Sequence, residues 1–267
     1  MKRRPNDPFA HPHGVIAFGH RGERGHYPEN TVLSLQKAVA AGVDALEIDV
    51  HMTADGHVVV IHDDTIDRTT SGQGRVSAMT LAELQSHDAG YRFTLDGGQT
   101  FPFRGQGLVV PTLAEVFTAF PDLWINIDLK QHDLRIIEPF VRLLHEQAVL
   151  DRVVVGSFDG ATLVAFRQAC PQVPTAASEA EVRRLVILSK LGLGRLYQGQ
   201  AQMLQIPEFN GRLRLITRRF VHEAHRHNVA VHVWTINETE HMARLIALGV
   251  DGIVSDYPRR LLQLLGR

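Results

Sequence analysis

ALEIDVHMTADGHVVVIHD, residues 45–63, places two β-rich runs on either side of Ala54-Asp55-Gly56, a turn signal. In the first run Glu47 and Asp49 are two apart, so both leave one face of a strand while Leu46, Ile48 and Val50 take the other. A hairpin turning at Asp55 pairs residues whose numbers sum to about 110, which sets His62 beside Ile48 and within reach of both acids. Two neighbouring carboxylates repel, and if buried without a cation one of them is forced to protonate. The pair therefore suits a hard divalent ion with oxygen ligands, and the plainer alternative is pairing with Arg or Lys.

Outward from this hairpin, short β-rich runs alternate with helical patterns. The runs are VIAFGH (15–20), LWINIDL (123–129), VVVGSF (153–158), VPTAA (173–177), MLQIP (203–207), VAVHVW (229–234) and GIVSD (252–256). Amphipathic helices are predicted at 31–41, 134–148, 160–169, 217–227 and 239–248. The alternation predicts a parallel sheet in an α/β fold. Polar residues gather at the C-terminal ends of many different strands, and no glycine-rich dinucleotide turn follows the first. An eight-stranded (β/α)8 TIM barrel, whose strand ends converge on one mouth, accounts for this better than an open doubly wound sheet. The segment 70–111, rich in Gly and Pro around one short helix near 80–87, reads as a loop-rich insertion over that mouth.

The other strand ends extend the chemistry. GHRGERGHYPENT (19–31) presents His20 and Arg21 between glycines. A histidine there can exchange a proton near neutral pH, and an arginine fork can hold a phosphate. Asn30 reads as a cap for a helix starting at Thr31, and Glu29 as a complement to its dipole. NIDLK (126–130) sets Asp128 and Lys130 on one face, an acid for a cation and an ammonium for phosphoryl oxygens; the plainer reading is an Asp–Lys pair. Trp234 could wall the alcohol side of a substrate, Asn237 follows it, and Asp256 reads as a helix cap. His222, His225, His227 and His241 fall in solvent-facing helical patterns, and Cys170, without a basic neighbour, reads as inert.

Composition limits the partners. The 267 residues suit one domain, 1–267, and 28 basic against 29 acidic residues give no bias towards nucleic acid. A single cysteine rules out an internal disulfide framework. The opening MKRRPNDPFAHPHG lacks the apolar stretch of a secretory signal, and the reading is cytoplasmic. Lys190 and Arg195 break the longest apolar candidate, 185–196, so no transmembrane segment is expected, while peripheral membrane contact stays open.

Taken together, GHRG, PENT, EIDV, ADG…VVVIHD, NIDLK and VWTIN, in this order from residue 18 to near 256, closely resemble the glycerophosphodiester phosphodiesterase family. The resemblance implies a (β/α)8 barrel with His20 and His62 as the acid–base pair. It implies Glu47 and Asp49, completed by Asp128, as ligands of one Mg2+ or Ca2+, and Arg21 and Lys130 as phosphate contacts. The family more often has glutamate in the place of Asp128; aspartate there resembles the sphingomyelinase D-like phospholipases. The apolar SKLGLGRLY (189–197) and QIPEFNG (205–211) resemble members acting on lysophospholipids. The implied reaction is metal-dependent hydrolysis of a glycerophosphodiester to glycerol 3-phosphate and an alcohol, with lysophospholipase D-type cleavage as the alternative. A non-catalytic phosphate- or lipid-binding barrel and a metal-dependent isomerase or aldolase barrel are the rival classes.

Overall fold

Why these strands close into a ring is visible in their alternation. In the computed structural model, which describes residues 14–267, β1 (Ile16–His20) turns Ile16 and Phe18 to one side and Ala17 to the other. The expectation for residues 1–13 lies outside the described residues. Inward residues such as Ile16, Phe18, Ala45, Val154 and Met203 fill the ring's interior. The outward set, including Leu46, Ile48, Ile125, Ile127 and Val231, packs beneath the helices as the larger core.

The remaining elements are, in order, α1 (Val32–Ala41), β2 (Ala45–Met52), β3 (Val58–Val60), α2 (Leu81–Gln85), α3 (Leu113–Ala119), β4 (Trp124–Leu129), α4 (Ile137–Glu146), β5 (Val153–Gly156), α5 (Gly160–Ala169), α6 (Glu179–Leu191), β6 (Met203–Pro207), β7 (Phe209–Asn210), β8 (Leu213–Arg214), α7 (Arg218–Arg226), β9 (Ala230–Trp234), α8 (Thr239–Leu248), β10 (Gly252–Ser255) and α9 (Pro258–Leu264). The parallel strands run β5-β4-β2-β1-β10-β9-β6. The gap between β5 and β6 is bridged by Thr175, paired with Val155, and Ala176, paired with Met203. With that stave counted, eight positions close the TIM barrel expected from the sequence. The expected strand at 173–177 is cut to two bridges, since Pro174 has no N–H for a ladder.

The hairpin has the register that the turn implies. Val50 pairs with Val60 and Met52 with Val58, and the Ile61 amide donates to the Asp49 carbonyl at 2.9 Å. So β3 is the ninth run, an antiparallel strand beside the ring. The expected helix at 134–148 begins as one 3-10 turn, Leu134–Ile136, before α4. Of the helices absent from the periodicity reading, α3 and α6 each open on a capping box, Thr112 with Glu115 and Ser178 with Glu181. Among the described residues no helix is long and apolar enough to cross a membrane.

The segment 70–111 has a small core of its own, in which Val76, Leu84, Ala89 and Val110 pack on Val59 and Ile61. It sits against β3, and none of its residues lines the cavity at the mouth. The insertion packs on the β3 hairpin beside His62, and its Phe103 reaches Tyr27 in the loop after β1.

Two stability effects follow. Phe140, fully buried with its ring 5.6 Å from that of Phe166, joins α4 to α5; Phe140→Ala should cost about 3–5 kcal/mol through the cavity it leaves. Gly22 has φ +90°, and a Cβ there would lie 2.4 Å from the Ser34 carbonyl carbon on α1. Gly22→Ala should cost about 2–3 kcal/mol, read as a lower urea midpoint at unchanged slope.

Candidate active site

Register brings the acids and histidines to one end of the ring. His20 is the Cα partner of Glu47, Glu47 of Asn126, and Asp49 of Asp128, so alternation on three adjacent strands points one row of polar side chains inward. These residues line an open cavity of about 610 Å³, within the range of small-molecule sites. Its floor and one wall carry His20, Arg21, Glu47, Asp49, His62, Asp128 and Lys130. The lining also includes the apolar side chains Phe158, Val182, Ile206, Leu215 and Trp234, with the Phe158 ring 5.0 Å from Lys130 Nζ.

His20 is buried, with Nε2 3.8 Å from Glu47 Oε2 and Nδ1 2.5 Å from Asp256 Oδ1. Burial lowers its pKa, outweighing the Asp256 hydrogen bond, which favours the neutral ring. Asp256 is thus no helix cap: it aligns His20. Asn237 in turn donates to Asp256 Oδ2 at 2.9 Å and accepts from the Asp256 amide at 3.0 Å, which places this residue behind the site. His62 lies just past β3, about a third exposed, with Nδ1 2.6 Å from Asp63 Oδ1. His51 Nε2, 3.0 Å from the His62 carbonyl oxygen, holds that backbone. Neither Asp63 nor His51 was singled out from the sequence, although both stand inside the stretch that decided the fold.

The three acids differ. Asp49 is buried yet held below the ordinary carboxylate range, because Arg21, with Nε at 2.9 Å, and Lys130 outweigh the burial. Burial, and then the charge of Asp49, push Glu47 well above that range. Asp128 is raised by burial despite Lys130, whose Nζ lies 2.6 Å from its Oδ2 and 3.2 Å from Asp49 Oδ1. Arg21 and Lys130, the expected phosphate contacts, both line the cavity and form ion pairs with these carboxylates. Among the described residues no three acidic, histidine or cysteine side chains already form a metal cage. The donor set nevertheless fits a hard cation. Asp128 Oδ1 is buried without a hydrogen-bond partner, and two of the three acids are short of positive charge.

Helix-capping rules misplace the neighbours by one residue. Thr31 caps α1, accepting from the Ser34 amide. Asn30, at φ +57°, instead donates to Asp49 Oδ2 at 3.0 Å. Glu29 accepts from Arg21 Nη1 at 2.7 Å, so its charge meets a guanidinium where a helix dipole was expected. Trp234 stands at the rim, edge-on to Phe158 at 5.7 Å between ring centres. His225 and His227 are half-buried and bonded, to Asp251 at 3.0 Å and to the Gly194 carbonyl at 2.8 Å; both serve packing on the barrel's outside, and neither faces solvent as its helical pattern suggested. Cys170 is buried, which raises its thiol pKa and leaves it inert.

Known proteins resemble this chain over most of its length. The chain is 32% identical over 259 residues, 94% of its own length and 97% of the relative's, to a glycerophosphodiester phosphodiesterase of Caldanaerobacter subterraneus subsp. tengcongensis. It is 28% identical over 275 residues, 93% of its length and 85% of the relative's, to lysophospholipase D GDPD1 of Rattus norvegicus. The crystal structure of an Oleispira antarctica phosphodiesterase in complex with the product sn-glycerol-3-phosphate superposes with a TM-score of 0.78 at 26% identity, covering 95% of this chain and 98% of that one. Residues 20–260, which hold every element of the site above, match the model of the glycerophosphoryl diester phosphodiesterase family. The chain belongs to that family and is an enzyme of its class.

Proposed function

We propose that the chain hydrolyses glycerophosphodiesters to glycerol 3-phosphate and an alcohol by histidine acid–base catalysis at this cavity, with one divalent cation. The observation that carries the reading is the pair of carboxylate-backed histidines, His20 on Asp256 and His62 on Asp63, at one polar wall. A histidine whose Nδ1 faces a carboxylate presents Nε2 for proton transfer, and the carboxylate stabilises the imidazolium that forms. His20, buried and neutral, takes the proton of the glycerol 2-hydroxyl as its oxygen attacks phosphorus. His62, at the more open edge, gives a proton to the departing alcohol. Water then opens the cyclic phosphate with the two roles reversed, which leaves glycerol 3-phosphate.

Glu47, Asp49 and Asp128 would hold the cation, Mg2+ or Ca2+. Bound there it would supply charge stabilisation for the phosphoryl oxygens. Arg21 and Lys130, on either side of Asp49, neutralise the charge that develops in the transition state.

A second reading, supported by the apolar side chains Val182, Ile206, Leu215 and Trp234 in the cavity lining, is lysophospholipase D-type cleavage, with the acyl chain against them. The activity of the rat relative is of this kind. The test is the purified protein with glycerophosphocholine, glycerophosphoethanolamine and lysophosphatidylcholine, scanning magnesium, calcium and manganese, with both products measured. Release of choline and glycerol 3-phosphate supports the first reading; release of choline with lysophosphatidate alone supports the second. Binding of these ligands without turnover would make the barrel a non-catalytic binder.

A further inference from the structure

Glu29 stands behind the catalytic wall, its side chain only 9% exposed, and holds three guanidinium groups at once. Each leads to a different part of the site. Arg21 Nη1 lies 2.7 Å from Glu29 Oε1, and the same guanidinium reaches Asp49. Arg68 gives Glu29 a two-pronged contact, 2.8 Å on each prong. Its Nε is 2.6 Å from Asp63 Oδ2, the other oxygen of the carboxylate that holds His62. Arg24 Nε is 3.2 Å from Glu29 Oε2, and its Nη1 lies 3.9 Å from Asp256 Oδ1, the oxygen that holds His20. Charge alternates along both routes, negative at Glu29, positive at arginine, negative at the aspartate that faces the imidazole.

We infer that Glu29 is the hub of a positioning network that sets the orientation of both histidines together, through Arg68 and Asp63 on one side and Arg24 and Asp256 on the other. The inference rests on the proposed roles of His20 and His62. A single buried carboxylate cannot hold three arginines in fixed geometry by chance contact, since each side chain loses about 2 kcal/mol of rotamer freedom on being fixed. What the arrangement achieves is a shared reference: Arg68 comes from the segment after β3, Arg24 from the loop after β1, and neither segment is otherwise held to the other by a strand. Asp63, gripped by Arg68 through both oxygens, presents its remaining lone pairs to His62 in one direction, and Asp256, held by Asn237 on Oδ2, has the Arg24 charge 3.9 Å from the oxygen that faces His20.

The spokes are partly exposed, 46% for the Arg68 side chain and 34% for Arg24, so each can be removed with the fold kept. On glycerophosphocholine, Arg68→Gln and Arg24→Gln should each lower kcat about 10- to 100-fold at nearly unchanged KM. The p-nitrophenyl ester of glycerol 3-phosphate separates the two, because nitrophenolate leaves without a proton. There, in single-turnover release of nitrophenolate, which reads the first step alone, the Arg68→Gln loss should shrink to less than about threefold, as that step no longer needs the acid at His62, while the Arg24→Gln loss should persist. Independently of activity, the 15N resonances of the imidazole rings report which nitrogen carries the proton. Arg68→Gln should move those of His62 only, Arg24→Gln those of His20 only, and Glu29→Gln both.

Equal losses on the two esters with unmoved ring resonances would mean a merely structural contact and would overturn the hub. Wild-type activity in both spoke variants would do the same. If the wild type cleaves neither ester, the functional reading fails by itself. The ring resonances then still decide whether Glu29 sets the imidazoles, and unmoved rings in Glu29→Gln overturn it.

Discussion

His20→Ala and His62→Ala should each lower kcat/KM by about 10²- to 10⁴-fold and leave the fold intact. The two losses differ in kind. His20 is buried at the end of β1, which lowers its pKa, so its replacement should remove the group proposed to take the first proton. His62 stands at the open edge, so its replacement should be largely masked only in single-turnover release of a leaving group that needs no proton, since opening of the cyclic phosphate still calls on it. Asp256→Asn should fall between wild type and His20→Ala, since the imidazole stays but the carboxylate that aligns it at 2.5 Å is lost. The pH profile supplies the sign. Because burial lowers the His20 pKa, kcat/KM should hold at pH 7 and decline only below the ordinary histidine value of 6.5, as the ring gains its proton. Circular dichroism and thermal melting would check the fold; a variant of either histidine with near wild-type turnover would remove it from the mechanism.

The second large effect concerns the acids. Exhaustive chelation should abolish turnover, and Glu47→Gln or Asp49→Asn should raise the ion concentration needed for half activity by about 10- to 100-fold. Stability should move with occupancy: an ion at 100 times its Kd adds about 2.7 kcal/mol, so chelation should lower Tm. The two explanations of the acid cluster part here. If Arg21 and Lys130 were its full complement, Glu47 would remain a buried carboxyl with its pKa raised by burial and by Asp49. Glu47→Gln would then stabilise the protein, and chelation would change neither Tm nor rate. Both quantities are read from one melting series with magnesium, calcium or chelator.

The sequence made the local geometry legible. The hairpin sum about Asp55 placed Val50 on Val60 as observed, because a tight turn fixes register on both sides of it. The facing of Glu47 and Asp49 followed from strand alternation alone. Contacts made by closure of the ring were beyond such rules. Asp256 reaches His20 across 236 residues, and what aligns them is the pairing of Gly19 with Ser255 between β1 and β10. Nothing near Asp256 distinguishes it from a helix cap. Asn30 was lost for a different reason: Asn and Thr at successive positions are both good caps, and the backbone chose Thr31. Arg68 lies in a stretch without periodicity, so its meeting with Glu29 had no local signal. The capping boxes of α3 and α6, by contrast, were there to be read, Thr112 with Glu115 and Ser178 with Glu181.

The seam between β1 and β10 bears on when the molecule can first act. During synthesis His20, His62 and the acids all emerge long before residue 256, and at 5–20 residues per second the 236 positions from His20 to Asp256 take about 12–50 seconds to translate. Throughout that interval β1 has one open edge, and its imidazole lacks the carboxylate that aligns it. A nascent chain should therefore fall short of full activity, and a messenger cut short before this point yields a chain that lacks the carboxylate beside His20.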